Sequence, residues 1–162
     1  MTYTFQHLTT VDVPLLKALL GVFGTAFEDA VAYESNVPSD VYLSRLFGKE
    51  HFIAVVAMAD GAVIGGLTAY LLDKFEQDRR EIYIYDLAVL AEYRRKGVAT
   101  GLISELKRIA AERDVYVIFV QADLEDGPAI ALYEMLGTKE TAHHFDIAVR
   151  RHEMPHRGPQ KA

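Results

Sequence analysis

Residues 94–99 read Arg-Arg-Lys-Gly-Val-Ala, and they stand between the apolar run Ile82-Tyr-Ile-Tyr-Asp-Leu-Ala-Val89 and an amphipathic stretch that continues to about Glu112. A strand, a tight turn and a helix in that order leave backbone N–H groups unpaired at the helix start, where the helix dipole is positive. Gly97 and Ala99 keep the turn free of bulk at the point where an anion would approach most closely. This is the chemistry of a phosphate cradle, and it predicts that the chain holds a pyrophosphate. In the preceding strand Asp86 is the lone carboxylate of an otherwise apolar run. Burying it requires a partner, either a structural donor such as nearby backbone or a substrate ammonium.

The composition narrows what such a site can do. The chain has no Cys, which excludes thiol nucleophiles, thiolate metal sites and disulfides and fits a reducing compartment. The net charge is −6, yet residues 150–162 carry Arg150, Arg151, Arg157 and Lys161 against Glu153, so the remainder is more acidic than the whole. An acidic body repels nucleic acid and attracts a small cation. His143 and His144 are adjacent, so on a strand they face opposite sides, and no joint metal site is expected from them. No run approaches the ~18 apolar residues of a membrane span, and the residues after Met1 lack the basic and apolar parts of a signal peptide. The expectation is a cytoplasmic protein with no membrane partner.

The elements that must position these groups follow from patterning. Phe5 to Leu8 reads as a short strand, and Asp12-Val-Pro14 as a helix start leading to about Phe23. A second short helix follows Pro38-Ser-Asp and runs to about Phe47. His51–Ala59 and Ala62–Leu72 are apolar, β-branched runs joined by Asp60-Gly61, a strong hairpin signal. The strand ending near Val89, the helix after Gly97 and a strand from Val115 to Gln121 come next. Gly127-Pro128 opens a helix closed by Gly137, and Glu140–Val149 reads as a last strand. Residues 1–149 therefore form one domain of mixed α/β (α+β) class, and residues 150–162 a loose basic tail.

The order of elements and the motifs together resemble the GNAT superfamily of N-acetyltransferases. Its acetyl-CoA signature, Arg or Gln, two residues, Gly, one residue, then Gly or Ala, is matched by Arg94, Gly97 and Ala99. The strand end Leu87-Ala-Val89, the strand at 115–121 and Ala129-Ile-Ala-Leu-Tyr-Glu-Met-Leu-Gly137 stand at the spacing the superfamily requires. Longer stretches, Phe75-Glu-Gln, Glu81 to Val89, Tyr116 to Asp123 and His144-Phe-Asp-Ile147, are similar to the type I aminoglycoside 3-N-acetyltransferases over nearly the whole chain to about Val149. Where that family commonly shows Gly-Asp-Asp before the second signature helix, this chain has Glu125-Asp126-Gly127.

The resemblance implies a GNAT fold: a central, twisted, mixed but mostly antiparallel sheet of six to seven strands with helices on both faces. It implies acetyl-CoA as cosubstrate, with no metal. The backbone of Arg95, Lys96, Gly97, Val98, Ala99 and Thr100 would take the phosphates, Arg94 and Lys96 would assist as charges, and Leu87, Ala88 and Val89 would pair with the pantetheine arm as an added strand. Tyr133 is placed as general acid toward the leaving thiolate, and Asp86 as binder and base for the amine, directly or through water. The acceptor would be an aminoglycoside acetylated on its 3-amino group, by direct attack of the amine on the thioester, which confers antibiotic resistance. An anionic pocket of Glu28, Asp29, Glu34, Asp123, Glu125, Asp126 and Asp146, with Tyr33, would receive this cation. A polyamine or other small amine is the alternative acceptor, and a non-catalytic acyl-CoA-binding or antibiotic-sequestering module the alternative of another class. A homodimer contacting through the final strands or helices is also implied. Tyr83 and Tyr85, two apart, read as core or cleft wall.

Overall fold

The computed structural model describes residues 2–149. Its sheet has five strands in chain order, β1 (Thr4–His7), β2 (Phe52–Ala59), β3 (Ala62–Asp73), β4 (Arg80–Val89) and β5 (Val115–Val120). The first four pair antiparallel and β4 pairs with β5 in parallel, so the sheet is mixed and mostly antiparallel, as expected. The β2–β3 connection is the Asp60-Gly61 turn, and both residues have positive φ, 50° and 80°. Such a pair of left-handed residues matches the twist of the strands it joins.

Helices cover both faces. α1 (Val13–Ala26) and the shorter α2 (Ala30–Glu34) and α3 (Asp40–Phe47) lie on one side, and α4 (Val98–Glu112) lies on the other. β2 is buried on both faces because its alternate residues serve two cores: Ile53, Val55 and Ala57 face α4, whereas Phe52, Ala54 and Val56 face α1. On α4 the buried residues Val98, Leu102, Leu106, Ile109 and Ala110 repeat at three- and four-residue steps, which lays one stripe on the sheet. The two cores meet the sheet closely. A Cβ on Gly66 would stand 2.5 Å from Leu19 Cδ1 and 2.7 Å from the Val55 carbonyl, and one on Gly101 would enter the Phe5 ring.

One irregularity matters for the site. Thr68 is opposite Asp86 and Ala69 is opposite Ile84, so Tyr85 has no counterpart on β3 and forms a β-bulge. A bulge resets which residues face which side. Accordingly Ile82 and Ile84 before it, and Leu87 and Val89 after it, all enter the α4 core. Strict alternation would have put the two pairs on opposite faces.

Two elements differ from expectation. α2 is an added turn of helix, started by Asp29, whose side chain accepts from the Ala32 N–H at 3.0 Å. The last strand, expected over Glu140–Val149, does not form, so among the described residues the sheet has five strands where six to seven were expected. Its outward residues Phe145, Ile147 and Val149 are 79%, 89% and 99% exposed. The alternating pattern of this segment specifies which side a strand would bury, and a ladder also needs a neighbouring strand within reach. α5 (Gly127–Leu136) stands between β5 and this segment. The tail expected over 150–162 lies outside the described residues.

Candidate active site

β4 and β5 are paired only from Arg80 with Val115 to Ile84 with Val120. Beyond that point β4 keeps β3 on one side, with Leu87 opposite Leu67 and Val89 opposite Gly65, and has no strand on the other. The side chains of Leu87, Ala88 and Val89 are all buried, so what this stretch presents along its open side is backbone. An extended ligand can add there as a strand would.

The chain then turns through a short 3₁₀ segment, Ala91–Tyr93, and enters α4 at Gly97, whose φ is +81°. Arg95 is also left-handed, at φ 59°. A Cβ built on Gly97 would meet nothing within 4 Å. Gly97 is therefore required by the backbone angle, and the space above the helix start is open for a ligand. Val98 is buried in the α4 core and offers the site only its amide, while Ala99 and Thr100 complete the first turn half-buried. Arg94 works differently from a free phosphate-binding charge: its Nε donates to the Val89 carbonyl at 2.9 Å, tying the turn to the end of β4. The Lys96 ammonium lies 5.7 Å from the Tyr93 ring centre.

On the opposite face of β4 from the α4 core, Asp86 lines a cavity of about 190 Å³ together with Tyr33, Tyr42, Thr68, Tyr70 and Tyr85. The Tyr33 hydroxyl donates to Asp86 Oδ1 at 3.1 Å. Burial, and then the Asp86 carboxylate, hold the Tyr33 phenol well above the ordinary value of 10. Tyr70 is likewise raised, first by burial and then by its neighbours Tyr85, Tyr42 and Asp86. The arrangement is one carboxylate among phenols, of which Tyr33 and Tyr70 are held in their protonated form at neutral pH. Such a carboxylate can take a cation or accept a proton from it.

Tyr133 lies on α5, half-buried against the α4 core. Its pKa is pushed up to about 12, by burial first and then by Asp126. Asp126 itself starts α5, accepting from the Ala129 N–H at 3.0 Å.

Of the groups expected to receive the acceptor, the structure brings Tyr33 to Asp86. Asp29 caps α2, Glu28 is exposed at the end of α1 with φ 57°, and Asp123 and Glu125 are exposed after β5. Asp146 is exposed and lies 3.2 Å from His144 Nε2. None of Glu28, Asp29, Asp123, Glu125, Asp126 and Asp146 lines the Asp86 cavity. The residues that do, and that patterning missed, are Tyr42, Thr68 and Tyr70. Thr68 and Tyr70 are two apart in the apolar run of β3, a polar pair on one face, which was the available signal.

Residues 20–138 match the family described as acetyltransferase (GNAT) family. An aminoglycoside acetyltransferase from an uncultured soil metagenomic sample has 51% sequence identity, a TM-score of 0.91, and alignment over 93% of this chain and all of that one. A second soil metagenomic aminoglycoside acetyltransferase, solved in complex with sisomicin, has 28% identity, a TM-score of 0.81, and covers 91% of this chain and 97% of its own. An N-alpha-acetyltransferase of Saccharolobus solfataricus is 30% identical over 118 residues, which span 65% of this chain and 66%, just under two thirds, of the relative.

Proposed function

Because the chain belongs to the acetyltransferase (GNAT) family, we propose that it transfers the acetyl group of acetyl-CoA to an amine, and that this amine is the 3-amino group of an aminoglycoside. The observation that carries the reading is the Tyr33–Asp86 pair set in a cavity of β4, directly before the stretch whose backbone lies open beyond β5. The two soil acetyltransferases support the acceptor class. Homodimer formation belongs to the same reading, supported by the open edge of β5 and the exposed apolar residues of 140–149.

The residues present fit the cosubstrate. The open space above Gly97 and the amides of the first α4 turn suit the pyrophosphate, and the backbone of Leu87–Val89 suits the pantetheine arm. When bound, acetyl-CoA supplies a thioester whose acyl carbon accepts the amine. Asp86 binds the ammonium of the acceptor and takes its proton, directly or through water, so that the lone pair is free to attack. Tyr33 fixes the Asp86 carboxylate by donating to one of its oxygens. Tyr133, protonated at neutral pH, would give its proton to the sulfur as the carbon–sulfur bond breaks, and the second proton that the nitrogen sheds on becoming an amide would return to the phenolate, directly or through water. Its pKa of about 12 lies above the ~8.5 of a thiol, so this step needs close placement to compete with water.

The test is thiol release from acetyl-CoA with gentamicin, kanamycin, fortimicin, spermidine and a short peptide with a free N-terminus. Turnover with the aminoglycosides, and a product whose NMR spectrum carries the acetyl group on N3, is the expected result. Turnover confined to spermidine or the peptide would move the acceptor to another class. Failure to bind acetyl-CoA at millimolar concentration would remove the reading altogether.

A further inference from the structure

Beside the Asp86 cavity lies an open groove of about 540 Å³, lined by His51, Tyr70, Asp73, Tyr83 and Tyr85 among others. Tyr70 and Tyr85 wall both spaces, so the groove continues directly from the carboxylate. Its floor is a row of rings on β3 and β4, backed on β5 by Phe119, which stacks on the row without lining the groove. Tyr70 meets Tyr85 edge-on at 5.7 Å, Tyr85 meets Tyr83 at 5.9 Å, and Tyr83 stacks on Phe119 at 5.0 Å and 10°. His51 stacks on Tyr70 at 6.1 Å. Tyr83 and Tyr85 share a side of β4 by two-residue alternation, and the bulge at Tyr85 brings Asp86 to that side with them.

Among the described residues Asp73 is the one carboxylate lining this groove, and Arg80 Nε donates to it at 3.0 Å. A second cation entering the groove therefore meets ring faces, whose quadrupole attracts it and whose flat surface packs on the C–H face of a saturated ring. A flexible polyamine would want a further carboxylate at the spacing of its next ammonium, which the described residues lining the groove do not offer. Its size suits one ring beyond the reacting one.

We propose that this groove is a second acceptor subsite, which seats a further amine-bearing sugar ring on the Tyr70–Tyr85–Tyr83 floor while the reacting amine lies at Asp86. The inference rests on the acetyl-transfer reading of Asp86 and deepens it: acceptor choice is made by aromatic faces more than by an anionic pocket.

The experiment compares Tyr83→Leu and Tyr83→Phe with the unaltered chain, using neamine, which has two rings, and 2-deoxystreptamine, which has one. Tyr83→Leu should lower kcat/KM for neamine about tenfold more than for 2-deoxystreptamine, with the difference carried by KM. Tyr83→Phe, which keeps the ring and loses the hydroxyl bonded to Gln121, should restore the ratio between the two acceptors. Equal losses for both acceptors, or no loss for either, overturn the subsite. Calorimetry with the CoA-saturated protein separates the two claims. Neamine that binds, binds less well to Tyr83→Leu, and is not acetylated would remove acetyl transfer to amino sugars and leave the subsite standing. Neamine that does not bind the unaltered chain at millimolar concentration would remove the subsite.

Discussion

Tyr33 and Asp86 are 53 residues apart in the chain, and the phenol of one donates to the carboxylate of the other at 3.1 Å. The bond joins the short helix α2 to the sheet, so the carboxylate is oriented by an element on the α1 side. Asp86→Asn removes the proton acceptor while keeping size, and should lower kcat/KM at least about 100-fold. Tyr33→Phe removes only the donor and should cost about 5- to 10-fold, chiefly in acceptor KM. Steady-state kinetics with a competent aminoglycoside decides; wild-type constants for Asp86→Asn would remove its role.

Tyr133 tests the other proton. Tyr133→Phe should lower kcat by about 10- to 100-fold and leave acetyl-CoA affinity nearly unchanged, because the ring remains in place. Its pKa, raised from 10 to about 12 by burial and Asp126, also has a stability sign. The folded state holds the proton more tightly, so the contribution is complete below pH 10 and is lost as pH climbs from 10 to about 12. Denaturant titrations over that window should show a shallower loss of stability for Tyr133→Phe than for the unaltered chain.

At Gly97 the argument is one of backbone angle. The φ of +81° disfavours any L side chain by about 1–2 kcal/mol, although nothing crowds the position. Gly97→Val should re-form the turn, turn its amides away from the phosphates, and raise the acetyl-CoA Kd about tenfold or more in calorimetry. Unchanged affinity would dismiss the cradle.

Two other glycines should respond in opposite directions. A methyl on Gly66 meets Leu19 at 2.5 Å and the Val55 carbonyl at 2.7 Å, and backbone cannot yield as a side chain can. Gly66→Ala should destabilise the fold by about 1–3 kcal/mol. Gly21, within α1, has nothing within 4 Å of its built Cβ, so Gly21→Ala should stabilise by about 0.5–1 kcal/mol. Equilibrium urea unfolding of both variants checks the pair.

Local signals carried most of the architecture. Pro14, Gly97 and Gly127-Pro128 mark helix starts that the structure places there, and Asp60-Gly61 marks the hairpin. Each works because a single residue type satisfies a single backbone demand. Asp12 is a partial case. It stands at the start of α1, yet its carboxylate accepts from Thr9 and Gln6 before the helix and caps no helical amide. The site was less legible. Asp86 stood out as a charge in an apolar run, but its partner Tyr33 is far away in the chain, and the bulge at Tyr85 breaks the two-residue count that assigns faces. Acidic residues near the expected cleft were easy to collect from the sequence. Asp29 and Asp126 had local work to do as helix caps, and a spacing rule does not separate that work from ligand binding. The strand expected over Glu140–Val149 had the right alternation and is not paired with the open edge of β5.

The unopposed residue of β4 also limits how this lineage can change. Because Tyr85 and Asp86 both face away from the α4 core, inserting one residue there would swing Asp86 toward that core and carry Leu87 and Val89 out of it, whereas removing Tyr85 would restore plain alternation and leave all three on their present faces. Insertion is thereby barred while identity stays free. Under the proposed acceptor subsite, acceptor preference would then drift by exchanging rings along the floor, one amino acid at a time.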